Sequence, residues 1–348
     1  MKRVVWMTVV LLNAGMLMVE SASRTGATPA LAQVPSRSFQ FTYVVHVPAL
    51  PEESRELRLW IPLPYEDLYQ LVSQIRVESP VPYQIRREPE YGDRYVYMSV
   101  DAARTKTAFD VRITFHAQRL EHRISFTPMS NLPAHPIVST ARFLEPDRLV
   151  PIDGAILDLS RQVTESATLP LDKARKAYDY VIATMHYDHD GTEWGRGDAV
   201  WASSAKHGNC TDFHSLFIGI ARAVGIPARF EIGFSLPMDS HEGAIASYHC
   251  WAEFYADGIG WVPIDASEAW KHREKQDYFF GATDQNRIMF SLGRDIRLHP
   301  PQKGSPLNFF VYPYAELDGS PFTDLKAAFS FRDDEAPAAR RNVAGAMD

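Results

Sequence analysis

The stretch His207-Gly208-Asn209-Cys210-Thr211-Asp212-Phe213-His214 decides the reading of this chain. It leads directly into a helical pattern. Phe213, Leu216, Phe217, Ile220 and Val224 fall at i, i+3, i+4, i+7 and i+11 and form one apolar stripe. Gly225 closes the helix and Pro227 forbids its continuation. Asn209 fits the N-cap, which makes Cys210 the first helical residue. Unpaired N–H groups and the positive dipole end favour a thiolate there, whereas Asp212 in the same turn works against it.

A cysteine at a helix start is most often a small buried hydrophobe. The residues downstream change that weight. Tyr248-His249-Cys250-Trp251-Ala252-Glu253-Phe254-Tyr255 reads as a strand, and Gly260-Trp261-Val262-Pro263-Ile264-Asp265 as a second strand after a turn at Asp257-Gly258. A thiol, an imidazole and a carboxylate thus follow in the order Cys, His, Asp. Nucleophilic catalysis needs those three types: an attacking sulfur, a base, and a group that orients the base.

Gly208-Asn209-Cys210, then His249-x-Trp251, then Trp261 ahead of Asp265 resemble the transglutaminase-like superfamily. Ala221 to Arg229 resembles that family's helix end and following strand. The resemblance covers residues 155–300 and agrees in three separated blocks. It implies a papain-like core with Cys210 as nucleophile, His249 as base and Asp265 as orienting acid. The family includes cross-linking enzymes, peptidases, amide-cleaving glycanases and members without catalysis. It therefore fixes the site more closely than the reaction.

The chain has 348 residues and a net charge of −7, a length that suggests two domains and an acidity that argues against a general nucleic-acid binder. Residues 1–32 read as a signal peptide: Lys2 and Arg3, an apolar run from Val4 to Val19, and Ala30-Leu31-Ala32 as a cleavage site, with Ser21-Ala22-Ser23 as a second candidate. The rival is an uncleaved anchor, although an apolar run of about 16 residues is short for a span of ~20. The expectation is an exported protein, periplasmic or extracellular, without a membrane span after cleavage. Oligomeric state has no signature in the sequence.

Period-two alternation begins at Ser38. Phe39, Phe41 and Tyr43, then Leu57, Leu59 and Ile61, then Phe109, Val111, Ile113 and Phe115 mark half-buried strands, with Leu71 to Val77 and Tyr95 to Val100 as further candidates. Residues 38–130 read as an antiparallel β-sandwich, and Pro128 to Pro151 as a connection. The expected class is α+β, the sandwich followed by a papain-like transglutaminase core over 155–300. Ile156, Leu159 and Val163, then Ala174 to Met185, give two helices ahead of a long loop, Tyr187 to Lys206. That loop delivers the chain to Cys210, so Trp194 and Trp201 read as cleft-lining residues or as loop anchors. Ser235 to Ser247 reads as a further loop. Residues 301–331 read as extension strands centred on Phe309 to Tyr312, completing the catalytic sheet or crossing the cleft, and 332–348 as a disordered tail.

Alternation places His249, Trp251 and Glu253 on one strand face and Cys250, Ala252 and Phe254 on the other. The expectation is that His249 faces Asp265 while Cys250 points away from Cys210, which rules against a disulfide between them. A zinc site from His207, Cys210, His249 and Cys250 matches no structural spacing, so no metal or cofactor is expected. Asn209-Cys210-Thr211 matches a glycosylation sequon by chance, because Asn209 is needed as a cap. The expected function is a thiol-dependent enzyme acting on protein or peptide amide bonds through a thioester, with hydrolysis favoured. The alternatives are a protein-glutamine acyltransferase and a non-catalytic binding module.

Overall fold

The structure is a computed structural model that describes residues 34–102, 105–126 and 140–334. The targeting segment expected over 1–32 lies outside the described residues, as does the expected tail from 335 onward. Among the described residues no helix is long and apolar enough to cross a membrane.

The chain begins with β1 (Ser36–Val47), β2 (Glu56–Pro62), β3 (Gln70–Glu78), β4 (Gln84–Arg87), β5 (Arg94–Asp101), β6 (Phe109–Leu120) and β7 (His122–Arg123). Next come α1 (Gly154–Thr164), α2 (Pro170–Thr184), β8 (His186–Tyr187), α3 (Ala199–Ala205), β9 (His207–Gly208) and α4 (Cys210–Ala223). It continues through β10 (Ala228–Ser235), β11 (Glu242–Ile245), β12 (His249–Ala256), β13 (Gly260–Ile264), α5 (Ala266–Lys271), β14 (Ala282–Thr283) and β15 (Arg287–Leu292). β16 (Tyr314–Leu317), β17 (Ser320–Pro321) and β18 (Lys326–Asp333) close it.

The alternating segments form the expected strands. One sheet has the order β11-β18-β1-β6-β3 and the facing one β17-β16-β2-β5-β4. Both therefore take strands from the far end of the chain. β18 pairs antiparallel with β1, placing Phe331 opposite Phe41, and β16 pairs with β2, placing Ala315 opposite Leu59. The extension strands complete the sandwich rather than the sheet that carries His249, and Phe309 to Tyr312 is not strand. β18 also runs past Phe331 to Asp333, beyond the expected start of the tail. The Ser235 to Ser247 loop contains β11, whose Gly243 lies opposite Phe331 of β18. Arg37 reinforces this junction, bonding Asp333, Asn286 and the carbonyls of Pro237 and Ser240.

The second sheet, β13-β12-β10-β15, carries α4 against β12 and β10. α4 is buried at every position from Cys210 to Arg222, so it is a central helix that needs no polar face. Its ends follow the sequence. Asn209 and Asp212 form a capping box at the start. At the finish, Gly225 at φ +83° donates to Arg222 O and Ile226 to Ala221 O, a Schellman closure. α1 and α2 form where the apolar stripes predict them. The Tyr187 to Lys206 segment is only partly loop: it holds α3, and β8 and β9 pair in parallel across its ends.

The sandwich and the helix-bearing layer share their apolar clusters: Phe41 and Phe234 lie in one, Trp60 and Trp251 in another. Phe41 stacks on Phe115 at 5.3 Å and also packs on Phe234 of β10 at 5.7 Å and Phe290 of β15 at 5.5 Å. The register between β10 and β15 shifts at Ile232/Gly233, and a Cβ on Gly233 would lie 1.7 Å from Ile288 O. Gly233 pairs with His249 in the neighbouring strand. Gly233→Ala is expected to lower stability by at least ~3 kcal/mol, the upper range for overpacking a tight site. An unchanged denaturant midpoint for the Ala variant would contradict this packing.

Candidate active site

The structure brings the three sequence-derived residues together from three elements. Cys210 is the first residue of α4, His249 the first residue of β12, and Asp265 the N-cap of α5, just past β13. His249 Nε2 donates to Asp265 Oδ2 at 2.7 Å. That leaves Nδ1 for Cys210, whose ionisation the imidazole favours. Asp265 Oδ1 accepts from Glu268 N and Ser267 Oγ, each at 3.0 Å, while Oδ2 also accepts from Arg287 Nη1 at 3.1 Å.

The electrostatics follow from burial and these contacts. Burial opposes a charge on Cys210, but the neighbouring Cys250 and His249 side chains, His249 by its charge as well, outweigh it and hold the thiol well below its usual range. Burial likewise opposes a charged His249. Asp265, by charge and hydrogen bond, and then Cys210 pull its pKa up to about 10. Asp265 also resists burial, since His249 and Arg287 keep its carboxyl well below the ordinary carboxylate range. The arrangement therefore favours thiolate, imidazolium and carboxylate in sequence.

Asp212, expected to oppose the thiolate, uses its carboxylate for the backbone. Oδ2 accepts from Gly195 N at 2.7 Å and Asn209 N at 3.0 Å, and Oδ1 from Gly197 N at 2.9 Å. It thereby docks the 187–198 segment on the helix start. Gly197, at φ +64°, is required there, because a Cβ would meet Ser215 Oγ at 2.5 Å. Asn209 caps through Oδ1 to Thr211 N at 2.8 Å, so its side chain is committed, as its discounting as a sequon supposed.

Cys250 requires a correction. It does not point away from Cys210: its Sγ lies 3.6 Å from His214 Nδ1 and 3.8 Å from Thr211 Oγ1, on the first turn of α4, close enough for the two thiols to influence each other's ionisation. His249 is the first residue of its strand, so its imidazole reaches the helix end past the strand terminus. Alternation separates side chains across a sheet face and does not separate them there. Both cysteines are free thiols. Burial first, then Cys210, pushes the Cys250 thiol well up, so it is held as the neutral donor. His207, the remaining candidate zinc ligand, places Nδ1 2.7 Å from Asp188 Oδ1.

Two residues went unassigned in the sequence. His214 donates from Nδ1 to Cys210 O at 2.7 Å and accepts at Nε2 from Ala266 N at 3.0 Å, and burial lowers its pKa. It is a neutral clip between α4 and the Asp265 turn. Its signal was its position four residues after Cys210, on the same helix face. Tyr248 Oη lies 2.8 Å from Asn209 Nδ2 and 3.0 Å from Thr211 Oγ1, flanking Cys210 on both sides in sequence. Trp194 anchors its loop, stacking on His189 at 4.3 Å and donating to Gly191 O, whereas Trp201 lies on α3 and packs edge-on to His207 at 5.0 Å.

In the folded protein a thiol alkylator is expected to modify Cys210 and spare Cys250. The reaction midpoint should lie below the ordinary thiol value of about 8.5. His249→Ala removes the imidazole and the positive charge that favour the thiolate, so the midpoint should rise. A midpoint that His249→Ala leaves unmoved contradicts the ion pair.

The family model described as transglutaminase-like superfamily matches residues 157–266. An uncharacterised protein of Haemophilus influenzae is 27% identical over 325 residues, covering 82% of this chain and 88% of that one. The crystal structure of a candidate cysteine protease from Cytophaga hutchinsonii has a TM-score of 0.57 at 15% identity, covering 87% of this chain and 93% of that one. That likeness extends over the sandwich as well as the core. Over residues 157–266 the chain carries a domain of the transglutaminase-like superfamily.

Proposed function

We propose that the protein is an exported, thiol-dependent amide hydrolase acting on protein or peptide substrates, with Cys210 as nucleophile, His249 as general base and acid, and Asp265 as the orienting carboxylate. The observation that carries this reading is the buried His249–Asp265 pair at 2.7 Å, set beside a cysteine at a helix N-terminus. His249 takes the Cys210 proton. The thiolate adds to the amide carbonyl carbon, and the Cys210 backbone N–H, among the unpaired donors of the helix start, faces the developing oxyanion. As the C–N bond breaks, His249 returns its proton to the leaving amine, leaving a thioester on Cys210. Water then attacks with His249 as base, releasing a carboxylic acid and restoring the thiol.

Hydrolysis is favoured over amine transfer on steric grounds. Cys210 is 2% exposed and His249 5%, so water is the acceptor that reaches the thioester with least rearrangement. Export rests on Lys2-Arg3, the apolar run that follows and the small residues at Ala30-Leu31-Ala32.

The test is a mixed peptide pool incubated with the protein and a primary amine and read by mass spectrometry. Cleavage or deamidation is expected to exceed amine incorporation; the reverse makes this protein an acyltransferase, and no product at all favours the binding-module alternative. Cys210→Ala is expected to abolish activity with the thermal melt unchanged. Asp265→Asn is expected to be less severe than His249→Ala in kcat/KM, because Asp265 orients the imidazole whereas His249 moves the proton. Residual activity within tenfold of wild type in a folded Cys210→Ala protein would sink the assignment.

A further inference from the structure

Asp265 is held by more than the imidazole it faces. Its Oδ2 accepts from both His249 Nε2 and Arg287 Nη1. Arg287 stands on β15, beyond the three motif blocks, and is 2% exposed. Its second arm, Nη2, donates to Asp284 Oδ2 at 2.9 Å, and its guanidinium lies 4.9 Å from the Trp251 ring centroid. A buried arginine braced on two carboxylates and an aromatic face has its position set by a planar fork, which lysine cannot reproduce.

We propose that Arg287 is a positioning residue of the catalytic assembly, acting through Asp265 to aim Oδ2 at His249 Nε2 and to moderate the pull of the carboxylate on the imidazolium. This rests on the proposed roles of Cys210, His249 and Asp265. Two donors converging on one oxygen, with Ser267 and Glu268 on the other, fix the carboxylate plane. The guanidinium charge also opposes the imidazolium across the shared carboxylate. An isolated buried aspartate would hold the His249 proton more tightly and slow its transfer to the leaving amine.

The charged and titratable groups around this pair come from each neighbouring element: Cys210 and neutral His214 from α4, neutral Cys250 from β12, Asp265 at the start of α5, and Asp284 and Arg287 at β15. Within this set, removing the Arg287 charge leaves Asp265 less neutralised, so His249 should hold its proton to higher pH. Removing the Asp265 charge should do the opposite. A role in packing alone would not produce shifts of opposite sign.

The experiment is an imidazole nitrogen NMR titration of His249 in the full chain, with kcat and KM on a cleaved peptide, for Arg287→Gln, Arg287→Lys and Asp265→Asn. Arg287→Gln is expected to move the His249 midpoint up by about one pH unit and to lower kcat by roughly tenfold to a hundredfold, the effect of misplacing a reacting group, with KM within about twofold. Asp265→Asn should move the midpoint down. Arg287→Lys keeps the charge and loses the fork, so its midpoint should stay near wild type while kcat falls. A folded Arg287→Gln protein with an unchanged or lowered midpoint overturns the proposal. If Arg287→Gln does not fold, the Lys variant decides, and wild-type kcat there overturns it. A wild-type His249 midpoint at or below the ordinary histidine value would instead count against the underlying triad.

Discussion

The capping interaction at the start of α4 is the constraint on which the site depends. Asp212 closes the box with Asn209 and, through the same carboxylate, binds the Gly195 and Gly197 amides. One side chain therefore sets where the central helix begins and which loop lies over that beginning. Cys210 follows Asn209 and is placed where the dipole and the uncapped amides act on it. The negative charge that seemed to count against a thiolate is spread over three backbone donors, and His249 supplies the compensating field.

Around that point the molecule is built as a braced assembly rather than two independent lobes. The chain leaves the sandwich after β6, forms the helical layer and the β13-β12-β10-β15 sheet, and returns to the sandwich through β16 and β18. β11 adds the segment leading to His249 onto β18, so the strand that presents the imidazole is anchored in the sandwich sheet. The Phe41, Phe234 and Phe290 contact joins the two layers in a shared cluster. Displacement of β1 would thus be felt at β10, directly beside β12.

What the sequence revealed was local. The apolar stripe and caps of α4, the alternation in β1 and β6, and the Cys210, His249 and Asp265 order each lie within a short window. What it concealed was of two kinds. The return of Tyr314 to Leu317 and Lys326 to Asp333 to the sandwich depends on pairing across more than 200 residues, which periodicity cannot specify. Arg287 reaches Asp265 across only 22 residues, but through the placement of β15 in the sheet, which no short window specifies. Cys250 failed differently: strand parity was sound for a sheet face but was applied at a strand end, where His249 and Cys250 both reach the helix terminus. His214 was legible at i+4 from Cys210 and went unassigned because its partner is a backbone carbonyl rather than the thiol.

The central claim is that Cys210 rests as a thiolate paired with protonated His249. Ultraviolet thiolate absorbance, followed against pH in the full chain and in the Cys210→Ser and Cys250→Ser variants, tests it most directly. The absorbance of one thiolate is expected at neutral pH, absent in Cys210→Ser and retained in Cys250→Ser. Absorbance that appears only above the ordinary thiol value of about 8.5, or that survives the loss of Cys210, would contradict it.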